Sequence, residues 1–333
     1  MGHMAIVFHE RYFDHVQYEG HPESPERLAV PIKRMLEFDL WRDVTRPEPA
    51  CEEDILLAHT PHHVAKIKDS PQGFLDPDTY IHKETYEIAL LAAGGAIEAA
   101  RIAHDYGKPA LALVRPPGHH AGRDFCGGFC YFNNIAIVAR KMGLERTAIV
   151  DIDVHHGNGT EDIFLEEDKV LFMSTHQRGI YPGSGDAGTV GKGKGEGYTV
   201  NIPMRGGIGD ATYMMIFDRI IEPILHQYDP QMILVSIGVD AHYADPLASL
   251  SLSSKAYLEM CKRLINIAPE KRIAFVLEGG YALEATAEVL SALAGQFCGV
   301  EVPLCQIYSK DVEVLGKEEV ESVIEIQKEY WDL

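Results

Sequence analysis

Short runs of aliphatic and β-branched residues alternate along the chain with longer stretches whose apolar positions recur every three or four residues. The runs at 6–8, 110–114, 147–152, 170–174, 198–202, 232–237 and 273–277 predict strands. Helical spacing predicts helices over 85–106, 135–142, 210–228, 254–267 and 283–297, and an amphipathic helix over 317–330 packed on the outside. Strand alternating with helix is the pattern of an α/β fold, a mainly parallel central sheet flanked by helices on both faces. No Ser/Gly/Pro-rich linker, low-complexity tract or fixed-period repeat interrupts it, so the 333 residues read as a single domain. Within it, 300–333 is a C-terminal extension, and the opening Met-Gly-His-Met at 1–4 reads as an expression-tag remnant.

The polar residues fall in a pattern of their own. RPPGHHAGRDFCGGFCYFNN (115–134), DIDVHHGN (151–158), GVDAHYADP (238–246) and EGGYALE (278–284) each follow a predicted strand. Open α/β sheets bind ligands beyond the carboxyl ends of their strands, where loops diverge and helix N-termini converge. The four clusters are therefore expected to line one cleft.

Composition narrows the field. A net charge of -20 opposes binding to a phosphate backbone, which excludes non-specific nucleic-acid binding and favours cationic partners. The six cysteines form no Cys-x-x-Cys pair, so neither a disulfide scaffold nor a zinc knuckle is indicated, and reduced thiols fit a cytoplasmic location. The most apolar tract, 88–103, contains Gly94, Gly95, Glu98 and Arg101 and predicts a packed helix rather than a membrane span.

The second cluster carries the chemistry. On extended backbone Asp151, Asp153 and His155 face one way, while Ile152 and Val154 face the packing. Buried carboxylates this close need a cation or dense hydrogen bonding. With Asp240 arriving from another strand end, Asp153, His155 and Asp240 supply three O/N ligands and leave a position for water, the pattern of a catalytic metal site. Two carboxylate ligands lower the acidity gained by an activated water, so such a site needs a general base. The tandem imidazoles His119 and His120 suit proton transfer, with Asp151 and Asn158 as the partners that fix their tautomers. Tyr281, after Gly279-Gly280, can donate its hydroxyl to an oxyanion.

PPGHH (116–120), DIDVHHGN (151–158), GVD (238–240) and LEGGY (277–281), with HPESPERL (21–28) and NNIAIVA (133–139), together resemble the signature motifs of the histone deacetylase superfamily, which includes acetylpolyamine amidohydrolases. The likeness runs from about residue 6 to 299. It implies an arginase/deacetylase-like fold and a metal-dependent amidohydrolase that removes acetyl or other acyl groups from lysine side chains or related amines. It implies Asp153, His155 and Asp240 as ligands of zinc, for which ferrous iron can substitute. His120 becomes the general base that later protonates the leaving amine, His119 an electrostatic helper held by Asp151, and Tyr281 the group that polarises the amide carbonyl. A structural potassium ion is implied near Asp151, Ser174 and main-chain oxygens of Asp153 and His155. Gly128, Phe129, Tyr181 and Leu247 are implied as walls of a channel for the acylated side chain.

Some positions shade this expectation. Asn158, which resembles the class II branch, stands where some other relatives carry Asp, and leaves His120 less basic. Leu247 stands where a specialised polyamine branch carries Glu, which favours acyl-lysine over acylpolyamine. The glycine-rich 188–197 has neither Walker nor dinucleotide spacing, so no nucleotide is expected. Two other readings compete: a binuclear manganese ureohydrolase, opposed by Gly157 and His242 where further ligands would sit, and a non-catalytic acyl-lysine binding module, opposed by the intact His119, His120 and Tyr281. A serine or cysteine hydrolase lacks its Gly-x-Ser-x-Gly elbow. The loops around 70–80 and 183–197 are expected to set access and contacts between copies in a homo-oligomer, with Asp76 or Asp78 as an anchor for a substrate backbone. No membrane partner is expected.

Overall fold

In a computed structural model, which describes residues 3–305 and 315–333, the chain builds an eight-stranded sheet. The remainder of the expected tag and of the C-terminal extension lies outside the described residues. The strands in chain order are β1 (Ala5–Val7), β2 (Val44–Thr45), β3 (Gly73–Phe74), β4 (Tyr80–Ile81), β5 (Ala110–Ala112), β6 (Thr147–Asp151), β7 (Val170–Gln177), β8 (Thr199–Met204), β9 (Met232–Ile237) and β10 (Ile273–Leu277). The sheet runs β2-β1-β5-β10-β9-β6-β7-β8 with every neighbouring pair parallel, and β3-β4 form a separate antiparallel hairpin.

Strands β5, β6, β9 and β10 are buried at every residue, as a parallel sheet covered on both faces requires. Helices Thr85–Tyr106 and Asn134–Met142 pack on one another in one layer, while Glu26–Glu37, Leu283–Cys298 and Ser254–Ile267 form a second row. Helix Lys317–Gln327 lies against β8, burying Val320, Val323 and Ile324 and covering that edge strand. It ends before 330, and Trp331 beyond it donates its indole N–H to the Gly197 carbonyl at 3.0 Å.

The departures from the sequence expectations have physical causes. Strand β7 extends to Gln177 because its partner β8 reaches Met204. Strand β6 stops at Asp151, one residue early, where the Ile152 N–H turns to the Ser236 carbonyl of β9. The expected helix over 210–228 is three consecutive segments, Asp210–Ile216, a π-helical Phe217–Ile221 and Glu222–Tyr228. The wide turn leads directly into Pro223, which has no N–H to continue the α-helical ladder.

The order of the central strands decides where function can sit. Strands β5, β10, β9 and β6 are consecutive neighbours, and these are the strands whose carboxyl ends carry the four polar clusters. Strand β9 enters between β6 and β10, with Asp151 opposite Ser236 and Leu277 opposite Ile237.

Candidate active site

At that end of the sheet Asp153, His155 and Asp240 each offer one ligand atom, all within 4.8 Å of one another. His155 Nδ1 is 3.2 Å from both Asp153 Oδ1 and Asp240 Oδ2. Backbone amides aim the carboxylates: Gly279 N–H donates to Asp153 Oδ2 at 2.8 Å, and Val154 N–H to Asp240 Oδ1 at 2.9 Å. A Cβ at Gly279 would stand 2.0 Å from Asp240 Oδ2, and one at Gly238 2.0 Å from Asp153 Oδ2, so only glycine admits this approach. Asp153 is fully buried and Asp240 nearly so, and Asp240 Oδ2 accepts no hydrogen bond.

That orphaned oxygen shows that the donor set fits a cation. The charges point the same way. Burial alone would lower the His155 pKa, yet Asp153 and Asp240 hold it up at about 10, so the two carboxylates demand positive charge at this spot. Carboxylate and imidazole donors suit zinc or ferrous iron. Among the described residues this is the one set of three such side chains close enough to share an ion.

Two imidazoles stand beside it with ring centroids 4.0 Å apart. His119 Nδ1 meets Asp151 Oδ2 at 3.0 Å, and His120 Nδ1 meets Asn158 Oδ1 at 2.8 Å. Both partners are acceptors, so each Nδ1 carries a proton. Their titration diverges. Burial depresses His119, but Asp153 and Asp151 outweigh it and raise its pKa well above normal; His120 is pushed well below normal by burial first, then by His119 and His155. A neutral His120 protonated on Nδ1 has a free lone pair on Nε2, which is what a base needs.

Tyr281 completes the enclosure. Its phenol pKa is driven well above normal by burial, so the group is a donor rather than an anion. The Arg27 guanidinium sits 4.9 Å from the Tyr281 ring centroid and donates from Nε to the Gly280 carbonyl at 2.8 Å. Asp245 Oδ2 accepts from Tyr281 N at 2.7 Å and from Ala282 N at 3.0 Å. His119, His120, His155 and Tyr281 open onto a cavity of about 250 Å³ whose other walls include Gly128, Phe129, Tyr181, Leu247, Ile180 and Asp78. Phe129 stands edge-on to Tyr281 at 5.9 Å, and Tyr181 edge-on to His120 at 5.0 Å. Ser174 lies on β7 as the register partner of Asp151, away from this cavity.

Sequence reasoning missed three supports. Glu278 Oε2 accepts from Gly118 N at 2.7 Å and His119 N at 3.1 Å, fixing the histidine loop to the end of β10; burial lifts its pKa to about 7. Asp245 is lifted to about 6 by burial and then by Asp240. Arg27 belongs to a buried ion cluster with Glu23 and Arg115. A charged residue embedded in a quoted motif was the available signal for all three.

Residues 21–297 match the family model of the histone deacetylase domain. A probable deacetylase of Archaeoglobus fulgidus is 44% identical over 87% of this chain and 86% of its own length. A histone deacetylase-like amidohydrolase of Pseudomonas aeruginosa is 38% identical over 79% of this chain and 73% of its own. The crystal structure of the HDA15 HD domain superposes with a TM-score of 0.91 at 32% identity, covering 99% of this chain and 95% of that one. No helix among the described residues is long and apolar enough to cross a membrane. Sheet, motif order and profile agree, and the chain belongs to the histone deacetylase family of amide hydrolases.

Proposed function

We propose that the protein is a metal-dependent deacylase that removes acetyl groups from lysine side chains, with zinc or ferrous iron held by Asp153, His155 and Asp240. A divalent ion held there supplies Lewis-acid activation of water and of the amide carbonyl. The observation that carries the reading is the unpartnered, buried Asp240 Oδ2 beside a base whose Nε2 is free.

The protein's own groups divide the work. The aliphatic stem of the acylated side chain lies between Phe129 and Tyr181, with Leu247 at the rim, and the apolar walls exclude water around it. Tyr281 donates its hydroxyl to the carbonyl oxygen and holds the oxyanion of the tetrahedral adduct. His120 Nε2 takes the proton from the attacking water and returns it to the amine nitrogen as the C–N bond breaks. His119, ion-paired with Asp151, stabilises negative charge as it develops. Asp78 at the mouth anchors the main chain of a peptide. A potassium ion at Asp151, Ser174 and the backbone of Asp153 and His155 is part of the proposal, supported by the register that sets Asp151 beside Ser174.

The half-exposed Leu247 offers no carboxylate to a polyamine, which favours acyl-lysine. The test compares wild type and Tyr281→Phe on acetyl-lysine peptides, longer-acyl peptides and acetylpolyamines. Loss of the hydroxyl lowers turnover about 10²- to 10³-fold, as for removal of one oxyanion donor. Unchanged turnover would falsify the role, and absence of hydrolysis across the panel by the wild-type metalloprotein would refute the function.

A further inference from the structure

The loop that follows β7 carries two residues of the cavity wall, Ile180 and Tyr181, and is tied down immediately afterwards by two buried imidazoles. Consecutive histidines beyond the end of β6 serve different places: His155 turns to Asp153 and Asp240, and His156 turns to the loop. His156 is 1% exposed, with Nε2 3.2 Å from Glu161 Oε2. Nε2 makes no hydrogen bond there, and Nδ1 meets the Ser184 hydroxyl at 2.9 Å. His176 reaches the loop one step on: its Nε2 donates to the Gly185 carbonyl at 2.9 Å, while its Nδ1 accepts from Ser174 Oγ at 3.0 Å.

The two rings pack 4.7 Å apart, and the backbone of Gly185 lies directly on them. A Cβ at Gly185, whose φ is +87°, would stand 2.3 Å from His176 Nε2 and 2.7 Å from His156 Cγ. Ser184 itself is exposed, so its hydroxyl is the part of this fastening that a substitution removes without opening a cavity in the core. Three residues before it, Tyr181 is 42% exposed and stands edge-on to His120. The side chain on the channel wall is thus held through the loop's anchor.

We infer that Ser184 and His156 are positioning residues that fasten the 178–186 loop, fix Tyr181 on the channel wall, and thereby set how firmly the acylated side chain is gripped. Neither touches the substrate. The statement about grip rests on the deacylase reading; the statement about the loop does not.

The experiment measures hydrogen exchange of the amides at 179–186 and steady-state kinetics on an acetyl-lysine peptide, for the metal-loaded wild type, Ser184→Ala and Ser184→Thr. Ser184→Ala accelerates exchange in the loop and raises KM about three- to tenfold, the scale of one net hydrogen bond, with kcat within about twofold. Ser184→Thr keeps the hydroxyl and restores both. In a Tyr181→Ala background, Ser184→Ala adds nothing further to KM, because the anchor acts through that ring. Unchanged exchange overturns the fastening. Faster exchange with unchanged KM, a loss confined to kcat, or additive effects with Tyr181→Ala overturn its role in substrate grip. If the wild type hydrolyses no acylated substrate, the deacylase reading fails while faster exchange in Ser184→Ala still supports the fastening.

Discussion

Two buried charged clusters lie at the same end of the sheet and are answered in opposite ways. In the first, both oxygens of Glu23 are taken by guanidinium groups: Arg27 at 3.1 Å and Arg115 Nε on one, Arg115 at 2.8 Å on the other. The arginines also donate to the carbonyls of Tyr12, His15, Gly280 and Glu278. In the second, Asp153 and Asp240 face one imidazole, and Asp240 Oδ2 is left without a hydrogen bond. The carboxylates are about equally buried in both. What separates them is closure: in the first set both carboxylate oxygens find donors within the chain, and in the second Asp240 Oδ2 does not. An oxygen left without a partner in a buried cluster, rather than the cluster itself, marks a candidate site.

The largest effect that sharpens this contrast is removal of the ion. Exhaustive chelation takes turnover to background, and zinc or ferrous iron restores it. Asp240→Ala prevents metal uptake, read by elemental analysis of the purified protein. Full turnover in protein shown to be free of metal would break the comparison at its centre.

The closed cluster responds in stability. Glu23→Gln strands two buried guanidiniums and costs about 3–5 kcal/mol in chemical denaturation, the usual scale for breaking a buried pair from one side. Burial alone would raise the Glu23 pKa, but Arg115 foremost holds it at about 2. A depressed carboxylate stabilises the folded state above its unfolded pKa, near 4.5, and that contribution is lost as pH falls towards 2. Between those pH values wild type loses stability more steeply than Glu23→Gln. Parallel profiles would mean that the carboxylate is not the linked group.

A finer effect concerns the base. Because His120 is pushed below the usual imidazole value of 6.5, the acid limb of kcat/KM lies below that pH. Asn158→Asp replaces an amide by an anion at the Nδ1 proton and moves the limb to higher pH. A limb that stays in place or moves down would assign the proton transfer to another group.

How much of this was legible in the sequence depends on how local the cause is. The sheet strands of the core were readable because full burial on both faces imposes continuous apolar runs, as in Met232–Ile237 and Ile273–Leu277. The convergence of Asp153, His155 and Asp240 with the histidine pair and Tyr281 at one end of the sheet was readable because their motifs follow strand ends. Helix Glu26–Glu37 was not, since a charged residue, Arg27, occupies a fully buried position on its inner face and Pro31, a helix breaker, lies in its interior. The two-residue strand β2 is too short for any period to register. Glu278 as a brace for His119, and Ser184 as a partner of His156, depend on pairings 159 and 28 residues apart, which no local pattern encodes.

The insertion of β9 between β6 and β10 has a consequence for how the protein comes into being. During synthesis the chain carries Asp153 and His155 long before Asp240 exists, and Tyr281 arrives later still. A nascent chain short of Asp240 holds two of the three residues of the cluster, and the place of β9 between β6 and β10 is still unfilled. The Asp153, His155 and Asp240 cluster is therefore completed only when the interior strand β9 stands between β6 and β10, and Tyr281 joins it only behind β10.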